Sequence, residues 1–242
     1  VRGGGGISVL IGIMKTWTTI VAIWLAASAL KAAAADIVGL VNAQGKEGAE
    51  ADLAAGKYES RKFKFVERVN YAGMRNFVVF IDQPLAAKPV PPAQPVVVVT
   101  QKDATFQPHV LPVVVGTRVR WPNHDEIYHN VFSFSETKSF DLGLYKGEKS
   151  EPLPVFFDKP GRVDVFCSIH SKMHCIILVL ENPFFAAANA KGYYALTNVP
   201  AGTYRLRAWH ERMPGAVREV VVPENGEVRV DFTLGIKGLP KS

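Results

Sequence analysis

The sequence predicts an all-β protein built as sandwiches, and three observations carry that prediction. From about residue 36 onward, Val, Phe, Ile and Tyr alternate with polar residues in short runs, the period-2 signature of half-buried strands. Gly, Pro, Asn and Asp punctuate these runs at short intervals, as turns between strands require. No segment carries a sustained amphipathic helical pattern; "AEADLAAGKY" supports at most a short turn of helix.

The chain has 242 residues, enough for one large or two small cores. It carries 28 Lys and Arg against 22 Asp and Glu. Arg2, Lys15 and Lys31 lie in the first 35 residues, which hold no acid, so the remainder is close to balance. That distribution gives no basis for a nucleic-acid partner.

Residues 1–35 read as an export signal. Met14 and Lys15 supply a basic start, "TIVAIWLAASAL" an apolar run, and "AAAA" before Asp36 the small residues of a cleavage site, placed after Ala35. Residues 1–13 then read as an extension from an early start, with the true start at Met14. The rival is an uncleaved anchor spanning Ile7–Leu30, which would bury Lys15 in the bilayer at considerable cost. Cleavage predicts a periplasmic protein with no stable membrane insertion. An oxidising compartment makes a disulfide the bland fate of the two cysteines, Cys167 and Cys175.

The strands fall into zones. Residues 36–84 offer "DIVGLVNAQGK", "KFKFVERV" and "NFVVFID". In "RKFKFVER", Lys62 and Lys64 alternate with Phe63 and Phe65, which reads as a half-buried strand with a solvated face; a docking surface for an acidic partner is the functional rival. Residues 85–95 form a proline-rich, extended linker. Residues 96–182 hold "VVVVT", "VLPVVV", "TRVRWP", "HNVFSFS", "SEPLPVFF", "GRVDVFC" and "CIILVL"; residues 183–236 hold "GYYALTNV", "GTYRLRAWH", "REVVVP" and "EVRVDFTL".

The chemistry concentrates in "CSIHSKMHC", Cys167 to Cys175. Side chains alternate along a strand, so Cys167 shares a face with Val163 and Val165, and Met173 shares one with Cys175 and Ile177. The five-residue loop Ser168–Lys172 joins the two strands. Cys167, His170 and Met173 can therefore converge, and His129, opening the strand "HNVFSFS", is the best candidate for a fourth ligand. A thiolate, two imidazoles and a weak thioether are the ligand set of blue copper, with no position left for a substrate. Cys175 should turn into the core as a buried thiol, and His174 outward. Two rivals remain: a Cys167–Cys175 disulfide, and a compact zinc or Cu(I) site from Cys167, His170, His174 and Cys175. His109, before a strand, reads as a structural loop histidine, His124 as exposed, and His210 as structural or surface.

The pattern C-x2-H-x2-M with an upstream "HNV" resembles the cupredoxins, the plastocyanin, pseudoazurin and amicyanin group, and the short loop is most similar to amicyanin. "TFQPHVLPVVVGTRVRWPN" and "KPGRVDVFCSIH" extend the resemblance over residues 96–182. It implies a Greek-key sandwich holding one copper ion, cycling between Cu(I) and Cu(II), on His129, Cys167, His170 and Met173. It also implies that Asn130 supports the site by tethering the ligand loop, and that His170 is an electron port within an apolar patch. "NAKGYYALTNVPAGTYRLRAWHERMPG" is similar to the carboxypeptidase regulatory-like, transthyretin-like β-sandwich. In that family, strands like those of residues 36–84 come first, so the cupredoxin would interrupt a discontinuous outer sandwich. Chains of this combination resemble bacterial proteins labelled methylamine utilization proteins, which would imply a dehydrogenase as redox partner; a periplasmic dehydrogenase or a c-type cytochrome is the partner expected of such a carrier.

Three functional readings follow. The first is a blue copper electron carrier and not an enzyme: the chain has no His-x-His pair for a multicopper oxidase, Phe166 stands where copper nitrite reductases place a histidine, and no nucleophile context supports a Cys-His protease. The second is a copper chaperone or buffer in which His174, Cys175 and His109 widen the ligand set. The third is a metal-free surface β-protein.

Overall fold

The structure is a computed structural model, and it describes residues 33–45, 70–85, 96–147 and 150–235. All of these belong to one compact unit that begins at Ala32. The expected strand at 62–69, the helical turn in "AEADLAAGKY", residues 86–95 of the linker and the leader through residue 32 lie outside the described residues.

The strands run in this order. β1 (Ala34–Gln44) and β2 (Val78–Ile81) come first. Then follow β3 (Val97–Val98), β4 (Thr100–Lys102), β5 (Thr105–Gln107), β6 (Val110–Val114), β7 (Thr117–Arg120), β8 (His129–Phe134) and β9 (Ser139–Tyr145). β10 (Val155–Phe157), β11 (Gly161–Phe166) and β12 (His174–Leu180) complete the middle of the chain. β13 (Phe185–Ala187), β14 (Tyr193–Pro200), β15 (Gly202–His210), β16 (Met213–Val222), β17 (Glu227–Arg229) and β18 (Phe232–Gly235) end it. Apart from 3-10 turns at Tyr71–Gly73 and at Ser150, the regular secondary structure of the described residues is strand.

The middle strands form a sandwich. One sheet has the order β6-β12-β11-β8-β9, the facing one β10-β7-β3. The chain passes repeatedly from one sheet to the other, with β11–β12 and β8–β9 as antiparallel neighbours, which is a Greek-key path. Alternate residues of both sheets meet in one core that includes Val119, Val131, Phe157, Val163, Val165 and Ile177.

The second sandwich is discontinuous in sequence. β1 lies antiparallel to β14 and parallel to β17 and β18, while β2 joins β13, β15 and β16. Its core includes Ile37, Val79, Leu196, Leu206 and Phe232.

Two strands explain how the sandwiches meet. "CIILVL" in β12 and "VVFI" in β2 are continuously apolar, the pattern of strands covered on both faces. In β12, Cys175, Ile177 and Val179 enter the middle core, while Ile176, Leu178 and Leu180 face out. In β2, Val79 and Ile81 enter the second core, while Val78 and Phe80 meet that outward face of β12. The sandwiches therefore share an apolar seam.

β1 is hemmed in on both edges, and Gly39 shows how tightly. A Cβ at this position would lie 1.9 Å from the carbonyl oxygen of Val230. That contact is with backbone, which has no rotamer escape, so Gly39→Ala must push the 228–232 segment away from β1. We expect a loss of about 2 kcal/mol or more, which for a chain of this size is a fall in Tm of roughly 5 °C or more by calorimetry. An unchanged Tm would contradict the placement of β1 at the centre of its sheet.

β1 also starts at Ala34, ahead of the expected cleavage point. Ala34 lies opposite Pro200, and Ala35 is buried opposite Val199. Cleavage after Ala35 would remove both from the sheet.

Candidate metal centre

The site is assembled at one end of the middle sandwich. β8 opens on His129, which is wholly buried and lies opposite Tyr145 of β9. The loop that delivers it is held by Asn123, whose side-chain amide donates to the carbonyls of Ile127 (3.0 Å) and Tyr145 (3.1 Å). Asn123 Oδ1 accepts the amide of Asp125 at 2.9 Å, an Asx turn that fixes the loop's start. β11 ends at Phe166, directly before Cys167, and β12 begins directly after Met173. The ligand loop is closed by its own backbone: the Cys167 amide donates to the Met173 carbonyl (3.2 Å) and the Met173 amide to the His170 carbonyl (2.9 Å).

Three donors face one another here. His129 Nδ1 and His170 Nδ1 are 3.1 Å apart, and Cys167 Sγ is 3.6 Å from His170 Nδ1. Together His129, Cys167 and His170 form a group whose ligand atoms all lie within 4.8 Å of each other. Met173 is buried and belongs to the same core as Cys167.

Protons identify what these atoms offer. His129 Nε2 lies 2.7 Å from Asp125 Oδ2. A carboxylate accepts, so Nε2 carries the hydrogen and Nδ1 presents its lone pair to the site. Burial opposes the charge on Asp125, but amide donation from Ala104, the His129 ring and the Asp103 amide outweigh it, and its pKa lies below the ordinary carboxylate value. The Cys167 sulfur accepts the Asn130 amide at 3.4 Å, a donor suited to a thiolate.

The donor set fits a first-row metal ion. With metal–nitrogen distances of about 2.0–2.1 Å and metal–sulfur of about 2.3 Å, neighbouring donors sit roughly 3–4 Å apart. The separations of 3.1 and 3.6 Å lie in that range.

The remaining sequence candidates separate cleanly. Cys175 is fully buried in the middle core, and burial pushes its thiol well above the ordinary value. Both cysteines are free thiols, so the expected rival disulfide is not formed. His174 lies on the opposite face of β12, stacked on Phe166 and 2.9 Å from Asp164. The compact site from Cys167, His170, His174 and Cys175 is therefore not assembled, because strand alternation sends His174 and Cys175 to opposite sides. His109 also lies away from the centre, against Glu211 and the His174 carbonyl. His124 is exposed; His210 is buried, tilted against Phe77, and accepts the Arg212 amide at 3.1 Å.

Asn130 meets the ligand loop through its backbone amide, which donates to the Cys167 sulfur at 3.4 Å. Its side chain donates to Asp141 Oδ1 at 2.7 Å, across β8 and β9. Asp125, in turn, went unread in the sequence. The available signal was its place four residues before His129 in "DEIYH".

Comparison with known proteins gives matches to solved structures. No family model and no curated protein matches this chain. A methionine-to-alanine variant of amicyanin in its Cu(I) form is 21% identical over 42% of this chain and 98% of its own, with a TM-score of 0.33. A reduced tryptophan-to-tyrosine variant of amicyanin gives the same values. A copper-containing nitrite reductase from Thermus scotoductus is 28% identical over 41% of this chain and 25% of its own, with a TM-score of 0.34.

Proposed function

We propose that this chain is a periplasmic mononuclear copper protein that carries single electrons between redox partners. The observation that carries this reading is the meeting of His129 Nδ1, His170 Nδ1 and Cys167 Sγ at one point. Bound copper supplies a one-electron couple. The chain's own residues do the rest. Asp125 holds the His129 ring with its lone pair inward, and the Asn130 amide donates to the Cys167 sulfur. The sandwich ends fix donor positions, so little rearrangement accompanies a change of charge. Met173 lies in the same core, in keeping with a weak fourth ligand.

The surface near His170 suits transient docking. Ile169 beside it, Ile127 and Tyr128 before His129, and Leu144 opposite Asn130 are all exposed. Exposed apolar groups that neighbour the ligand residues in sequence or in strand register fit a short-lived redox encounter with a dehydrogenase or a c-type cytochrome.

The test is to load the protein with Cu(II) and record its visible spectrum. An intense copper–thiolate band that bleaches on reduction is expected. Tight Cu(I) binding without that band would replace this reading with a copper buffer, and absence of copper uptake would end it.

Export gives a second expectation. Because β1 begins at Ala34, a signal cleavage that spares the sheet falls at or before Ala33. Mass spectrometry of the exported protein should show a mature chain starting no later than Ala34; a start at Asp36 would contradict this.

A further inference from the structure

A second cluster of metal-type donors sits at the seam between the two sandwiches. His109 precedes β6, His174 opens β12, and Glu211 lies in the turn between β15 and β16. A ring nitrogen of each histidine and a carboxylate oxygen of Glu211 all lie within 4.8 Å of one another. All three side chains are partly exposed.

Hydrogen bonding fixes what each offers. His109 Nδ1 lies 3.1 Å from the His174 carbonyl, which only accepts, so Nδ1 carries a hydrogen. The lone pair of a neutral His109 is then on Nε2, and Nε2 faces both Glu211 oxygens at 2.9 and 3.0 Å. A lone pair aimed at a carboxylate is repulsive unless a cation, a proton or a metal ion, lies between them. His174 repeats the pattern: Nε2 donates to Asp164 Oδ1 at 2.9 Å, which leaves its lone pair on Nδ1. Asp164 is itself held by Arg162 through two contacts at 2.7 and 2.8 Å. Each imidazole is thus oriented by an acceptor behind it, the arrangement that supports histidines on metals.

We propose that His109, His174 and Glu211 form a second metal site, distinct from the Cys167 centre, for a first-row divalent cation of the zinc or Cu(II) class. Two imidazoles and one carboxylate match those ions and leave coordination positions for water. Two ligands come from the middle sandwich and one from the outer one, so the ion clamps the seam at its edge, where Val110 and Ile176 begin the shared apolar layer. The bound ion replaces the proton that would otherwise join His109 to Glu211.

The experiment uses Zn2+ as the probe on the full-length Cys167→Ala protein, in which the first centre lacks its thiolate. We expect Zn2+ to bind and to raise the Tm of this protein. Adding Glu211→Gln or His109→Ala should weaken that binding at least about tenfold and remove the rise in Tm. In the otherwise native protein, the same two substitutions should leave the copper–thiolate spectrum unchanged. Circular dichroism confirms that each variant is folded; Glu211→Gln, which keeps the shape of the side chain, decides the matter if His109→Ala unfolds. Absence of Zn2+ uptake by the Cys167→Ala protein would overturn the proposal and leave a protonated His109–Glu211 ion pair. Uptake indifferent to both substitutions would overturn it equally.

Discussion

Cys167→Ser is expected to abolish the copper–thiolate absorption completely while leaving the sandwich folded. The band requires a thiolate bound to copper, and serine offers a hydroxyl that does not ionise in this range. Affinity should fall beyond the roughly 10–100-fold that supporting residues usually control, because a ligand atom itself is lost. The fold should survive for a local reason. Serine is slightly smaller than cysteine, and its oxygen can still accept the Asn130 amide that now donates to sulfur. The closing bonds of the loop, from the amides of Cys167 and Met173, are backbone bonds and do not depend on the side chain. The destabilisation should be about 1 kcal/mol. Visible absorption and electron paramagnetic resonance after Cu(II) loading, with circular dichroism as the folding control, give the answer. A variant that keeps the band would remove Cys167 from the site.

The contrast between Cys167 and Cys175 shows what alternation makes legible. Both are thiols, eight residues apart and both buried. Their strands pair in register, Val165 opposite Cys175 and Phe166 opposite His174, so parity alone assigns Cys175 to the core and His174 to the opposite face. "CIILVL" likewise announces a strand covered on both sides. It does not say what covers the second face, and the answer, Val78 and Phe80 of β2, lies about a hundred residues earlier in the chain. The parallel pairing of β1 with β17 and β18 is equally hidden, since it is set by which strands are left to close the second core. The same holds for contacts that one residue cannot specify alone. Glu211 reaches His109 only because the two sandwiches meet at β2 and β12, and nothing in "AWHERM" marks the glutamate as a partner. Nor does the sequence say that Asn130 meets the sulfur through its backbone amide while its side chain serves Asp141.

Asp125 is the residue whose loss should test how far the His129 ring is governed from behind. Its carboxylate accepts three donors: the Asp103 amide at 2.7 Å, the Ala104 amide at 2.9 Å and His129 Nε2 at 2.7 Å. In Asp125→Ala all three lose their partner. The His129 hydrogen is then free to move from Nε2 to Nδ1, where it would occupy the lone pair that faces Cys167 and His170. Copper affinity should therefore fall by roughly 10–100-fold, with the copper–thiolate band weakened but present at saturating copper. Asp125→Asn makes the argument quantitative. One amide oxygen can still accept the Ala104 and His129 hydrogens if the amide nitrogen takes the place now facing the Asp103 amide. That variant keeps the ring's tautomer at the expense of one backbone bond, so its affinity should lie between the native protein and Asp125→Ala. Competition titrations with a copper chelator of known strength would rank the three. Equal affinity in all of them would mean that the buried walls around His129, and not Asp125, set the orientation of its ring.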